Sequence, residues 1–354
     1  METDIKIIAN CDDAVLFWGI DKPIKDCWGF AIEREQSMPG GSTTRITLDN
    51  RAGFAKDHPQ SGDHRPSTVW PFQRFWWADH SVNTGDRVRY RATPMIRVAG
   101  QLREDVDRRS KWSKWAELTG DTSDRISVYF NRGLVISQFM SRYLEELRKK
   151  KGLLSRRQAL VEFKKSLDDH ELPIRKFLSG VLRERMLELL AQAKKEKQHV
   201  YGALYELEDE ELVDALAALK SRCHLVLANG SIQPVKGVPA SEARKKDQNK
   251  AARRRLIDAG ADMHGRFISP GALGHNKFLV IASNATKPKP LAAWTGSTNW
   301  TKTGLCTQIN NGILVQHAGF AQIYMDQWDR LLKAKNAFPK ELVEANSSRS
   351  HWSM

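Results

Sequence analysis

Gly274-His275-Asn276-Lys277-Phe278-Leu279-Val280-Ile281 and, after a short interval, Trp294-Thr295-Gly296-Ser297-Thr298-Asn299-Trp300 decide how this chain is read. The apolar run from Phe278, with β-branched Val280 and Ile281, predicts a strand. Side chains alternate across a strand, so His275 and Lys277 share a face. The segment Asn284 to Pro290, which holds Pro288 and Pro290, reads as a hairpin-like loop. A second short strand, Leu291 to Thr295, then delivers Gly296-Ser297-Thr298-Asn299 to the same end of the sheet. An imidazole, an ammonium, a hydroxyl and a carboxamide converge there, a cradle suited to one phosphodiester group.

Upstream, His199 to Tyr205 reads as a strand, Asp209 to Lys220 as a helix, and His224 to Ala228 as a second strand. This β-α-β order implies parallel pairing with a right-handed crossover, and a site beyond the carboxyl ends of the strands. Glu206, near the end of its strand, is a candidate acid; a surface or capping role is its plainer alternative. Ser241 to Ala259 is helix-prone and basic, and Lys250, Arg253 and Arg254 are its candidate contacts to a nucleic-acid backbone. An exposed basic helix without a ligand is the competing account. Downstream, Gly312 to Val315 reads as a strand and Phe320 to Lys335 as a closing helix, and residues 336–354 as a mobile tail.

His-x-Lys followed by Gly-Ser-x-Asn resembles the active-site signature of the phospholipase D superfamily, over roughly residues 198–332. The resemblance implies that His275 attacks phosphorus to give a phosphohistidine, and that Lys277 and Asn299 hold the non-bridging oxygens. It also implies a hydroxyl donor at Ser297 and close backbone approach at Gly296. Two positions depart from the pattern: Ala282 stands where the family carries an Asp, and Asn310 occupies the slot of the acid that orients the histidine. An amide fixes an imidazole tautomer but stabilises an imidazolium less than a carboxylate does.

The family scheme also needs a second histidine as general acid. His170, His199, His224 and His264 have no Lys two residues on. The expectation is therefore a homodimer with one site on its two-fold axis, or else a degenerate half within residues 125–195. No Asp/Glu cluster or His/Cys ligand spacing lies near the motif, so neither metal nor cofactor is expected. The activity expected is that of a metal-independent phosphodiesterase, a DNA or RNA endonuclease. A phospholipid hydrolase is the first alternative, and a catalytically degenerate nucleic-acid-binding or scaffold protein the second.

The formal net charge of +14 over 354 residues favours polyanionic partners, nucleic acid first and anionic phospholipid second. No apolar run approaches the ~20 residues that cross a bilayer. Met1 to Lys6 lacks a basic segment followed by a long apolar one, so a cytoplasmic protein is expected. Cys11, Cys27, Cys223 and Cys306 show no ligand spacing and read as reduced thiols.

Residues 1–100 read as all-β, with strands at Asp13–Trp18, Trp28–Arg34, Thr44–Leu48 and Asp86–Pro94 separated by turn formers. Thr84-Gly85 followed by Tyr90 resembles the late strand of a fibronectin type III or immunoglobulin-like sandwich and its tyrosine corner. The aromatic block Trp70 to Trp77 is expected to serve as core and inter-domain contact; the sharper alternative is a stacking surface for single-stranded bases. Residues 101–197 read as a linker and a helical segment packing on the catalytic domain. They carry strand-forming Ile126–Phe130 and Leu134-Val135-Ile136, and helices at Gln138–Lys151, Ser155–Leu167 and Pro173–Lys195. The expected architecture is multidomain, β plus α/β: an N-terminal β-sandwich, a helical segment, and a phospholipase D-like α/β sheet domain at residues 198–335.

Overall fold

A computed structural model describes residues 5–60, 63–133, 137–234, 236–268 and 273–347. Two compact units emerge: residues 1–120 with 137–150, and residues 121–136 with 151–354. The expected strand segment Leu134–Ile136 and the tail beyond residue 347 lie outside the described residues.

The first unit contains β1 (Ile5–Ala9), β2 (Ala14–Trp18), β3 (Cys27–Ser37), β4 (Thr43–Thr47) and β5 (Asp49–Asn50). It continues with β6 (Arg65–Pro66), β7 (Trp76–Asp79), β8 (Arg87–Val98), β9 (Gln101–Glu104) and β10 (Ala116–Glu117), and α1 (Ser137–Lys150) groups with it. One sheet runs β1-β2-β7, a second runs β10-β8-β3-β4 with β9 beside β8, and β5 pairs with β6 in a small third. Alternation along β2 turns Ala14, Leu16 and Trp18 inward, where they meet Phe30 and Ile32 of β3, Tyr90 and Ala92 of β8, and Phe72.

This unit extends past the expected boundary at residue 100. Ser110 and Ser113 follow the edge of β8: their N–H groups donate to Ala92 O and Tyr90 O, each at 2.8 Å. Their hydroxyls accept from Ala92 N at 2.9 Å and Tyr90 N at 3.0 Å. The segment therefore belongs to the sheet and is no linker. The tyrosine corner also needs correction. Tyr90 donates its hydroxyl to Asp79 Oδ2 at 3.0 Å, a side chain already paired with Arg34 at 2.7 Å, and not to backbone.

The second unit contains β11 (Ile126–Phe130), α2 (Arg156–Ser166), α3 (Pro173–Lys195), β12 (His199–Leu204), α4 (Glu210–Ala217), β13 (Cys223–Ala228), α5 (Ala240–Ala243) and α6 (Lys250–Asp258). It continues with β14 (Asp262–Arg266), β15 (Lys277–Ala282), β16 (Pro290–Gly296), α7 (Lys302–Cys306), β17 (Asn311–Val315), α8 (Ala318–Ala334) and α9 (Lys340–Ser347). Its seven strands run in the order β11-β17-β16-β15-β12-β13-β14. β12, β13 and β14 are parallel, as the β-α-β reading requires, and the other neighbours are antiparallel. Leu204 faces Lys277, Phe278 faces Thr295, and Phe130 faces Asn311. The ends of β11, β12 and β16 thus meet the starts of β15 and β17 at one edge.

Period two sorts the faces of this sheet. Ala203, Val226, Phe278, Val280 and Ala293 pack under Ala321, Trp328 and Leu331 of α8. On the opposite face Leu182 of α3 lies beside Trp294 over Gly312, where a Cβ would come within 2.2 Å of the indole. Lys277 belongs to this opposite face, because it alternates with Phe278.

Three expectations change here. The basic helix expected from Ser241 to Ala259 is broken into α5 and α6, because Asn229 Nδ2 bonds the carbonyls of Arg244 and Lys246 at 3.2 and 3.3 Å. The tail expected from residue 336 forms α9, whose Leu342 enters the core under α8. Residues 125–195 supply one strand and helices, and among the described residues no second half-domain.

A buried ion network ties α3 to α4. Arg175, 1% exposed, donates to Asp209 Oδ2 at 2.8 Å, Glu211 Oε2 at 2.7 Å and Leu167 O at 2.7 Å, and Arg183 Nε reaches Glu211 at 2.7 Å. Removing the guanidinium leaves Asp209 without its cation in a dry site, while Glu211 keeps Arg183. Arg175→Met is expected to cost about 3–5 kcal/mol, read as a lowered urea midpoint. Arg254→Ala, which breaks the exposed pair with Asp258, is expected to move that midpoint by less than about 0.5 kcal/mol.

Candidate active site

Lys277 opens β15 with only 8% of its surface exposed. Its ammonium lies 5.2 Å from the centre of the Tyr205 ring, and its Nζ has no hydrogen-bond partner. Burial pushes its pKa from 10.5 down to about 8, against the opposing pull of the Glu206 carboxylate. His275 lies two residues earlier, exposed, its ring edge-to-face with the same Tyr205 at 4.7 Å. Burial of part of the ring and the charge on Lys277 both hold its pKa below the ordinary 6.5, so the imidazole is neutral at pH 7. Tyr205 thus organises both groups of the His-x-Lys motif.

The strap after β16 is clamped to the end of β12. Trp300 N donates to Glu206 O at 3.1 Å, and Glu208 N and Asp209 N donate to Trp300 O at 2.9 and 3.0 Å. Asn299, immediately before this clamp, has a buried Oδ1 with no partner. A half-turn of its amide would put the NH2 donors in that place. Glu206 lies across from Lys277; burial first, and then Glu208, push its pKa up, while Lys277 and a hydrogen bond from Gln248 pull it down.

Other candidates are engaged elsewhere. Ser297 Oγ donates to Asn310 Oδ1 at 2.9 Å and accepts from Asn311 N at 3.0 Å, so its hydrogen is committed to the protein. Asn310 does not reach His275. It is buried, its Nδ2 donates to Gly304 O at 2.7 Å, and its N–H donates to Asn131 Oδ1 at 2.8 Å. Its position corrects the orienting role expected of it: the amide supports Ser297. Among the described residues, none hydrogen-bonds the His275 ring.

Gly296 has φ of 148°, and a Cβ there would lie 2.3 Å from Asn311 O, so its close approach is to the protein's own backbone. Arg253 is likewise no free contact: it pairs with Asp247 at 2.8 Å, donates to Ala228 O at 2.9 Å and stacks on Phe267. Arg254 and Lys250 are exposed. Ala282 is fully buried at the far end of β15, remote from the motif.

Tyr205, Asn131 and Gln248 were not anticipated as parts of this site. For Tyr205 the available signal was its place at the mouth of β12, one residue before Glu206. Among the described residues, no group of three or more His, Cys, Asp or Glu side chains could hold a metal ion.

The mixed sheet of this α/β domain thus carries a neutral imidazole and an unpartnered buried ammonium at one end. Residues 186–332 match the family described as cardiolipin synthase, PLD-like domain, so the second unit carries a domain of the phospholipase D superfamily, a phosphodiesterase type of enzyme. No curated protein matches the chain. Among solved structures it is similar to the phospholipase D family member Nuc from Salmonella typhimurium, at 16% identity over 42% of this chain and 84% of that one, TM-score 0.30. NucT from Helicobacter pylori is similar at 11% identity over 44% and 92%, TM-score 0.31. Yeast tyrosyl-DNA phosphodiesterase 1 is similar at 13% identity over 46% and 37%, TM-score 0.27. Among the described residues no helix is long and apolar enough to cross a membrane.

The depressed ammonium is directly measurable. In a carbon-detected NMR titration of labelled lysines, the Lys277 signal is expected to titrate near pH 8, well below the ordinary lysine value of 10.5. Glu206→Gln removes the carboxylate that favours the charged form, so the midpoint should fall further. A midpoint at the ordinary lysine value would contradict the burial described.

Proposed function

We propose that this protein is a phosphodiesterase that cleaves nucleic acid, with His275 as nucleophile. One observation carries the reading: the unpartnered Lys277 Nζ and Asn299 Oδ1 lie at the end of the sheet where His275 is exposed. A buried ammonium without a partner is costly, and an entering phosphate oxygen removes that cost. The net charge of +14 favours a polyanion over a small neutral ester. Lys250 supports the same substrate. It opens α6 directly after Asn249, whose Nδ2 bonds Tyr205 O at 2.8 Å, so an exposed cation borders the site.

In the proposed reaction, a ring nitrogen of His275 attacks phosphorus and the bond to the leaving oxygen breaks. The leaving oxygen takes a proton from a general acid. Water then attacks the phosphohistidine, gives its proton to the same group, and frees the imidazole. Lys277 and the Asn299 amide stabilise the charge gathering on the non-bridging oxygens. His199 and His224 lie at the starts of β12 and β13, the far end of the sheet. We therefore assign the general acid to His275 of a second copy, in a homodimer with one shared site. The strand orders β1-β2-β7 and β10-β8-β3-β4 around one core support a fibronectin type III-like reading of the first unit, which would hold substrate or a partner protein. Four free cysteines suit a reducing, cytoplasmic setting.

The test is cleavage of plasmid and single-stranded DNA in EDTA, with light scattering on the same sample. Wild type is expected to cut and His275→Ala to be inactive, while Lys277→Ala loses about 10²–10³-fold in kcat. Binding without cleavage would leave a degenerate nucleic-acid-binding protein; release of headgroups from vesicles would indicate a lipid hydrolase. A strict monomer that cuts would remove the shared site.

The pH profile is a further check. kcat/KM should rise as the attacking His275 loses its proton below 6.5, decline as the general-acid His275 of the second copy loses its own, and show a separate alkaline fall above about 8 as Lys277 deprotonates. Lys277→Arg should abolish the alkaline fall. A profile flat from pH 7 to 9.5 in wild type would refute the role of the ammonium.

A further inference from the structure

We propose that the outer face of the three-stranded sheet in the first unit binds single-stranded nucleic acid by stacking bases on Phe17 and Trp76, an inference that rests on the nucleic-acid reading above. Alternation turns Leu16 and Trp18 into the core and Phe17 outward; likewise Trp77 turns inward and Trp76 outward. Phe17 is 41% exposed and Trp76 49%. The register places Lys6, Phe17 and Trp76 in one cross-strand row on β1, β2 and β7. Two large rings thus stand side by side on a rigid sheet with a primary amine beside them. The Arg74 guanidinium lies over the Trp76 ring, 5.3 Å from its centre, and supplies a second cation.

Beside β1 the face opens into a cleft of about 780 Å3, lined by Lys6, Phe17, Lys111, Trp112, Lys114 and Trp115. Cations therefore border the rings. Exposed neighbouring aromatics are costly unless something covers them. A chain with flat apolar faces and evenly spaced negative charge matches rings flanked by cations. Bases in a duplex have their faces already stacked, so only an unpaired strand can use this platform. The occupant that fits is single-stranded DNA or RNA, read by stacking and not by sequence.

The experiment uses the full chain carrying His275→Ala, so that the probe survives, with labelled oligothymidylate, oligouridylate and a DNA duplex at one fixed salt concentration. Anisotropy titration is expected to show each of Phe17→Ala and Trp76→Ala weakening single-strand binding by on the order of tenfold, with Trp76→Phe retaining most of it. Duplex affinity should be unchanged, and so should hydrolysis of bis(p-nitrophenyl) phosphate when the two substitutions are made in the otherwise wild-type chain. Matching circular dichroism and thermal midpoints show that these exposed positions leave the fold intact. The thymidylate and uridylate arms decide between DNA and RNA. Unchanged single-strand affinity in the double variant overturns the proposal. So does a parent that binds no single strand, or a loss confined to binding of anionic vesicles. Cleavage lost in His275→Ala with normal binding in the double variant sinks this inference alone. Cleavage that survives His275→Ala while the double variant loses binding sinks only the catalytic reading.

Discussion

Three buried carboxamides, those of Asn131, Asn229 and Asn249, hold the irregular chain at the working end of the seven-stranded sheet. Asn131 Nδ2 donates to the carbonyls of Leu305 and Gln308 at 2.6 and 2.7 Å, and its Oδ1 accepts from Asn310 N at 2.8 Å. Asn249 bridges Tyr205 O and Ala228 O and accepts from Leu207 N, which ties the ends of β12 and β13 to the start of α6. Asn229 receives Ile268 N at 3.0 Å and holds the turns around residues 244–246. Where strands end under other loops, backbone groups are shut off from water and need partners. An amide offers two donors and an acceptor in one plane, so one side chain can satisfy several such groups.

That scaffold allows a costly arrangement above it. Lys277 is buried with only an aromatic face and a carboxylate nearby, and its ammonium binds its proton less tightly as a result. The same charge helps to keep His275 neutral. A nucleophile that must offer a lone pair and a cation that must meet an anion are thus tuned by one shared environment. Tyr205 is the physical link, since its ring touches both.

The first unit is built on another principle. Its two larger sheets close on a common core, and the edge of β8 is finished by Ser110 and Ser113. Outside that edge Arg45, Arg89 and Arg91 lie over the Trp112 ring at 5.1, 5.1 and 4.6 Å. Carboxylates Glu33 and Glu35 sit between these guanidiniums and pair with Arg91 and Arg89. Cations and rings thus interleave along that edge.

The elements with a clear period were legible in the residues alone. The β12-α4-β13 unit, the β15–β16 hairpin, α3 and α8 fell where apolar spacing put them, although β15 begins only at Lys277 and leaves His275 in the segment before it. Strand β14, Asp-Met-His-Gly-Arg, has no apolar period and forms because β13 offers it a free edge. Likewise α9 exists as an ordered helix because Leu342 finds a place beneath α8. What the residues alone determined was which chemical groups this protein owns and which strands they flank. Only the tertiary structure decided which of those groups are free to act. Hydrogen-bond partners come from distant segments: Asn310 and Arg253 were claimed by the protein's own backbone and side chains, while Lys277 and Asn299 kept buried polar atoms unclaimed.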